Sequence, residues 1–256
     1  MIRLYLIIQL CNRFSRTSTL VYTILGICML GGIHTPVQSQ THDAQLWNSM
    51  ILDWEIPSSW MLELELDYNL LLSEGPQWYE YAIQPSVEYY PNSSFDLFAA
   101  VYLTTTKQND NEFTDEIRPI VGFRWNIIKP DKRVFLRTQV KYEYRIFAAR
   151  SSDDIINSGR WRLRMDLFVP ITKKSYSIDK NLYGIIWSEI FLSNDEKIME
   201  RYQSTFRQYL GLGYRFSYSW RLETDYVLQA SRDSMTDDSP DSFSHVIFLT
   251  LKHFIK

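Results

Sequence analysis

An alternation of apolar and polar residues recurs in long segments after residue 40 and constrains the fold more than any other feature. In residues 60–70 the even positions carry Trp, Leu and Tyr, while the odd positions carry Met, Glu, Asp and Asn. Successive side chains of a β-strand point to opposite faces. The segment therefore predicts a strand with one apolar face and one carboxylate face.

The same period of two appears along the rest of the chain. Clear alternation covers residues 79–89, 116–127, 134–145, 160–169 and 220–229, and less regular segments cover 45–55, 95–104, 182–192, 202–216 and 243–254. We therefore expect ten to twelve strands. Several segments are about ten residues long, as a tilted membrane strand requires, whereas soluble strands usually have about five or six residues.

No apolar run after residue 40 approaches the ~18 residues of a membrane helix. If this part of the chain lies in a membrane, it must form a closed barrel, because backbone groups in lipid have to be hydrogen-bonded internally. Aromatic residues end many of the apolar rows, as in the interface girdles of such barrels. The sequence thus predicts an all-β fold, a closed antiparallel transmembrane β-barrel spanning residues 40–256. A soluble β-sandwich or lipocalin-like barrel is the alternative fold.

The first 39 residues are typical of a signal peptide. Arg13 and Arg16 precede an uncharged apolar stretch at 20–33, and Ser39 follows as a plausible cleavage point. An uncleaved membrane anchor is the alternative. Both cysteines, Cys11 and Cys28, lie in this segment, so we expect no disulfides in the mature chain. We predict export to the outer membrane of a Gram-negative cell.

The connections between the segments are predicted to alternate in length. Short ones lie at 57–59, 91–94, 129–132 and 217–219, and longer ones at 71–78, 105–115, 148–159, 193–201 and 230–242. Membrane barrels have short periplasmic turns and longer outer loops. Two features do not fit: the segment 170–181 has an intermediate length but falls in a short slot, and a first connection at 57–59 is too short if both termini are periplasmic. Either one strand is miscounted, or the segment 45–55 is not an ordinary barrel strand.

The polar rows supply the candidate functional residues. If they face inward, they either form salt-bridge networks that fill the interior, which we favour because unpaired buried charges are costly, or line a narrow selective pore. The candidates for the lumen lining are Glu63, Glu65, Asp67, Arg137, Lys141, Arg145, Arg160, Arg162, Arg164, Arg207, Arg221 and Glu223.

Catalytic and metal-binding motifs are weak. After the leader the only histidines are His42, His245 and His253. A set of His245 with Ser242 and Asp241 is a remote candidate for lipid chemistry, whereas Ser244 must point to the opposite face from His245. Acidic groups at 110–116, 153–154, 195–196 and 233–241 indicate solvated loops rather than a dedicated cation site. We expect no metal and no cofactor.

Parts of the chain resemble the bacterial family called domain of unknown function 2490. The resemblance rests on the stretches at 45–47, 188–191, 211–216 and 220–223, on the arginine row at 160–164, and on Arg201, Arg207 and Tyr226. It covers nearly all of the chain after the leader. It implies an outer-membrane barrel and no established activity, so no catalytic positions carry over. One departure is the C-terminus, where Ile255 and Lys256 follow the last aromatic residue.

Three functions follow as hypotheses. The first is a non-enzymatic outer-membrane protein, either structural or a narrow pore. The second is a lipid-modifying enzyme with a rim active site, and the third is a soluble periplasmic β-domain that binds a ligand. The expected partners are outer-membrane lipids and the export and barrel-assembly machinery. The mildly acidic net charge of -3 argues against nucleic acid, and nothing requires more than a monomer.

Overall fold

A computed structural model describes residues 41–72, 78–109, 112–151, 155–193, 203–232 and 242–255. These residues form eleven β-strands and contain no helix long and apolar enough to cross a membrane. The strands are β1 (Thr41–Ile56), β2 (Trp60–Leu71), β3 (Tyr79–Asn92), β4 (Phe95–Asn109), β5 (Glu112–Ile128), β6 (Phe135–Ala149), β7 (Ile155–Pro170), β8 (Asn181–Ser193), β9 (Gln203–Arg215), β10 (Trp220–Arg232) and β11 (Ser242–Ile255).

The strands close into one barrel in which each strand pairs with its neighbour in sequence. All consecutive pairs are antiparallel, and β1 and β11 close the barrel as a parallel pair from Thr41↔Ser242 to Trp54↔Ile255. An odd number of alternating strands makes the first and last strands run in the same direction. The barrel is therefore antiparallel except at this closing pair.

The parallel closing pair explains why the first connection is short. The two rims are here named the turn end, which carries the β1–β2 connection at 57–59, and the loop end, which carries the β2–β3 connection at 72–78. Because β1 runs parallel to β11, it starts at the loop end and finishes at the turn end. A short first connection is then expected, and the assumption that both termini lie at one rim is wrong.

The strands extend further at the loop end than expected from the sequence. Residues 105–115 were expected to be a loop, but β4 continues to Asn109 and β5 begins at Glu112. Similarly, only residues 150–154 separate β6 from β7. Polar residues were interpreted as loop, yet in this barrel many point into a polar lumen: Thr106 donates a hydrogen bond to Glu80 (3.2 Å), and Ser158 is buried.

The outer surface of the barrel is an apolar band with aromatic residues near both rims. The side chains of Val121, Leu163 and Leu210, near the middle of their strands, are 47–60% exposed. Toward the turn end Trp60 packs on Tyr89 (4.7 Å between ring centroids), and toward the loop end Tyr68 stacks on Tyr81 (4.7 Å). The charged side chains of the same strands are mostly buried. The wall is thus apolar outside and charged inside.

Candidate functional site: a charged lumen

The inner face of the barrel carries the twelve charged residues that the sequence singled out. They occupy the alternate positions of β2, β6, β7, β9 and β10 that face away from the exposed apolar rows. Eight of them line one cavity, and the other four lie nearer the turn end. The cavity-lining eight are Glu65, Asp67, Lys141, Arg145, Arg160, Arg162, Arg164 and Arg207.

Glu143 on β6 is the centre of the ion-pair network. Its side chain is fully buried, and its carboxylate contacts Arg160 (2.6 Å), Arg162 (2.7 Å), Lys141 (3.4 Å) and Arg118 (3.8 Å). Hydrogen-bonded pairs of opposite charge offset the large cost of removing each ion from water. One carboxylate therefore anchors cations from three adjacent strands, β5, β6 and β7.

Further carboxylates continue this network along the basic wall. Glu189 on β8 accepts two hydrogen bonds from Arg162 (2.7 and 2.8 Å). Glu116 accepts from both Arg118 and Arg145 (2.7 Å each). Asp166 is shared by two arginines, Arg137 and Arg164. Because each of these carboxylates has one arginine partner on a neighbouring strand, the contacts fix strand register as well as fill the lumen.

Two smaller ion-pair groups lie nearer the turn end. Lys252 on β11 contacts Asp53 (3.1 Å) on β1 and Glu63 (3.2 Å) on β2, so it links both sides of the closing pair. Arg124 contacts Glu88 at 2.6 Å, and Glu88 also accepts a hydrogen bond from Tyr90. These groups occupy the lumen between the cavity and the turn end.

A second wall of the lumen carries carboxylates held by neutral donors. Glu65 accepts hydrogen bonds from Ser49 (3.0 Å) and Gln84 (2.9 Å). Glu80 accepts from Asn69 and Tyr102 (both 3.0 Å), in addition to Thr106. Asp67 lies between them in the same inner rows of β2 and β3. This acidic wall faces the basic wall across the lumen.

The two walls enclose a cavity of about 240 Å³. Aromatic side chains complete its lining: Trp47 and Phe248 meet edge to face at 5.8 Å, and Trp187 stacks on Tyr209. The Arg164 guanidinium lies 3.4 Å from the centre of the Trp187 ring. The cavity is therefore charged on two sides and bounded by flat aromatic surfaces that can hold cations or planar groups.

Residues 171–180, the segment too long for its slot, fold over the turn end. Tyr176 is buried against Phe135, Phe168 and Tyr183, and its hydroxyl accepts a hydrogen bond from Arg221 (3.0 Å). Asn181 holds the segment through three bonds, from Thr172 and Lys173 and to Ser175 O. The Tyr183 hydroxyl donates to Glu223 (2.6 Å) just above. The turn end is thus covered by an aromatic cluster.

The two histidines with described side chains, His245 and His253, lie on the outer face of the barrel. His245 points outward from β11, where its Nδ1 shares a hydrogen bond with the Tyr226 hydroxyl (2.6 Å), while Ser244 points inward and is buried. His253 stacks on Trp220 (4.0 Å between ring centroids) on the outer face. Asp241 and the side chains of Ser242 and His42 lie outside the described residues.

The structure places the acidic residues that were expected in loops in different environments. Glu116 was assigned to a loop but lies buried in β5, because its partners Arg118 and Arg145 hold it in the lumen. Asp115 faces outward and pairs with Arg150 at 2.7 Å. The acidic residues at 110, 153–154, 195–196 and 233–241 lie outside the described residues. Among the described ranges no group of three or more His, Cys, Asp or Glu could hold a metal ion.

Several central residues were missed when the sequence was interpreted. Glu143, Asp166 and Glu189 anchor the basic wall, and Lys252 joins the first and last strands. Glu143 and Asp166 lie in the same alternating rows as the arginines that were chosen, so the rows themselves could have identified them. The role of Lys252 depends on the parallel closing pair, which no local pattern reveals.

The fold and lumen define a class: a closed eleven-stranded β-barrel with an apolar outside and an ion-paired interior. Residues 44–239 match the family described as Protein of unknown function (DUF2490), and the chain belongs to that family. No curated protein and no solved structure matches it.

Proposed function

We propose that the protein is an outer-membrane β-barrel whose role is structural, with a lumen that does not conduct ions in the described state. The observation that carries the proposal is the wall itself: large apolar side chains are exposed on the outside and charges are buried on the inside. A soluble barrel gains stability by burying its apolar rows, whereas lipid favours the arrangement found here.

The closed lumen follows from two features. Ion pairs such as Arg162–Glu143 (2.7 Å) join neighbouring strands in the interior, and Tyr176 with its aromatic neighbours covers the turn end. The narrow pore is the second candidate, and the cavity of about 240 Å³ favours it because part of the lumen is already open. The rim enzyme has less support, since His245 bonds a tyrosine on the outer face.

This proposal includes export by a cleaved leader, assembly by the barrel-insertion machinery and a lipid annulus around a monomer. The wall is continuous around the barrel, because hydrogen-bonded pairs join every strand to its neighbours. A closed set of strands leaves no edge exposed to lipid. No second chain is required to complete the wall.

Fractionation of the expressed protein tests the proposal. We expect recovery in the outer membrane, faster gel mobility before boiling than after it, and no steady conductance in planar bilayers. Release into the periplasm without detergent would contradict the membrane assignment. A steady conductance that changes in Arg162→Gln or Glu65→Gln would instead favour the narrow pore.

A further inference from the structure

We propose that the lumen cavity binds a small zwitterion, a molecule that carries one ammonium and one carboxylate group. The inference goes beyond the proposed structural role, because it assigns a ligand class to a cavity that no role in stability requires. It rests on a difference between the two walls. Neutral groups donate hydrogen bonds to the acidic wall, whereas ion pairs hold the basic wall.

The acidic wall is hydrogen-bonded by neutral groups and carries no ion pair among the described residues. No ion pair within 4.0 Å includes Glu65, Asp67 or Glu80 in the described ranges, and the carboxylates of Glu65 and Glu80 accept hydrogen bonds from neutral hydroxyl and amide groups. Neutral donors satisfy these oxygens without supplying a positive charge. An ammonium group that reaches this wall would gain charge-assisted hydrogen bonds, which are the stronger kind.

The basic wall carries more cations than carboxylates. Six cations line this side of the cavity, and the carboxylates that contact them in the described structure number four. The cations are Arg118, Lys141, Arg145, Arg160, Arg162 and Arg164, and the carboxylates are Glu116, Glu143, Asp166 and Glu189. The surplus of positive charge would favour a ligand carboxylate.

An unpaired amide marks where that carboxylate would lie. Gln45 lines the cavity and is 1% exposed, and its Nε2 has no hydrogen-bond partner, although its Oε1 accepts from Trp47 Nε1 (2.9 Å). The Arg207 guanidinium lies 4.9 Å from the centre of the same Trp47 ring. A buried donor without an acceptor is costly, and a ligand carboxylate between Gln45 and Arg207 would remove that cost.

The size and enclosure of the cavity restrict the ligand further. Its volume of about 240 Å³ is below the range of about 300–1,000 Å³ found for pockets of drug-sized ligands. Hydrogen-bonded strands surround it on all sides, so the ligand is a free solute rather than the headgroup of a bilayer lipid. The aromatic cover at the turn end closes that side of the cavity to a ligand.

The folded full-length barrel in detergent micelles tests the inference by isothermal titration calorimetry. The probes are glycine, 4-aminobutanoate and 6-aminohexanoate, with butylammonium and butyrate as singly charged controls. We expect saturable binding of at least one zwitterion and binding about tenfold or more weaker for the singly charged controls, because each loses one charged contact.

Variants separate the cavity from general damage to the lumen. Asp67→Asn should weaken binding of the best zwitterion about tenfold, with Glu80→Gln as the replacement if the first variant does not fold. The matched control is Glu63→Gln, on the same face of β2 but paired with Lys252 outside the cavity; it should bind as the wild type does. Heat-modifiable gel mobility checks the folding of each variant.

Three outcomes would overturn the inference. The first is the absence of saturable binding by any of the three zwitterions to folded wild-type protein. The second is binding of butyrate or butylammonium as tight as that of the zwitterions. The third is equal weakening in Glu63→Gln and Asp67→Asn. Each of these results can occur whether or not the protein is an outer-membrane barrel. Failure of the ligand proposal is therefore distinguishable from failure of the proposed function.

Discussion

At the scale of single residues, the interior depends on a few carboxylates that hold several cations each. Glu143 is the clearest case, because four cationic side chains lie within 4.0 Å of one fully buried group. Removing one partner from a buried ionic network leaves uncompensated charge, which costs more than the network adds as a whole. The stability of the barrel therefore depends strongly on a few buried charges.

The substitution Glu143→Gln should lower the free energy of unfolding by about 3–5 kcal/mol, since it keeps the shape and removes the charge that four cations share. The measurement is urea unfolding of the barrel in lipid vesicles, followed by tryptophan fluorescence. Asp115→Asn is the control: its pair with Arg150 is exposed (41% and 54%), and we expect no measurable change. Equal stability of Glu143→Gln and wild type would contradict a structural role for the network.

A second prediction contrasts Gly213, beneath the lumen ring of Tyr183, with Gly184 on the outer face of β8. A Cβ at Gly213 would collide with the ring of Tyr183, which is fully buried. Gly213→Ala should therefore destabilise the barrel by about 1–3 kcal/mol, the usual cost of overpacking. At Gly184 the nearest atom to a Cβ would be 3.9 Å away, and Gly184→Ala should be neutral or stabilising. The same unfolding assay measures both, and an order reversed between them would show that the Tyr183 ring lies elsewhere.

At the scale of strands, the unusual element is the parallel pair of β1 and β11. A parallel ladder is slightly less stable per residue than an antiparallel one, and here Lys252 reinforces it by contacting both Asp53 and Glu63. When eleven strands alternate in direction, the first and the last run the same way, so the pair that closes the barrel must be parallel.

Cysteine pairs test this closing register in a background where Cys11 and Cys28 are replaced by serine. Met50 is opposite Leu251, so Met50→Cys with Leu251→Cys should form a disulfide on mild oxidation, as its geometry requires closely opposed Cα atoms. Met50→Cys with Ile247→Cys is displaced by four residues, about 13 Å along the strand, and should not. Crosslinking of the displaced pair in place of the matched one would show that the register is wrong. A mobility shift on a non-reducing gel reports either result.

At the scale of the whole molecule, the wall inverts the arrangement of a soluble protein. Its apolar side chains are exposed and its charges are buried, and aromatic pairs such as Trp60–Tyr89 and Tyr68–Tyr81 lie toward the two rims. An outer face of this kind is favoured by lipid, which is the environment that we propose for it.

The substitution Val121→Arg tests that environment. Val121 is 58% exposed near the middle of β5, so arginine there should lower stability in lipid vesicles by about 2–4 kcal/mol, the cost of a cation near the bilayer midplane. Val121→Leu is the matched control and should change little. On a soluble protein an exposed substitution usually changes stability by less than about 0.5 kcal/mol, and an arginine effect of that size would favour a periplasmic domain.

Much of the fold could be predicted because alternation is a local property. Each of the eleven expected segments became a strand, and the twelve chosen charges occupy the inner rows. The errors came from polar residues, because these occur both in loops and in strands that face a polar lumen. Thr106 and Ser158 were interpreted as loop residues, but a polar lumen accepts them within strands. The cover at 171–180 was noticed only as an anomalous length, because its packing depends on aromatic residues from β6, β7 and β8.

The sequence alone determined the strand type, the approximate number of strands and the two faces of each strand, since these depend on the alternation of neighbouring residues. The tertiary structure decided which charges meet, because pairs such as Lys252 with Glu63 join residues far apart in the chain. It also decided that the barrel closes in parallel, that Tyr176 covers one end and that a two-walled cavity remains. These features arise from register and closure, which are properties of the whole sheet.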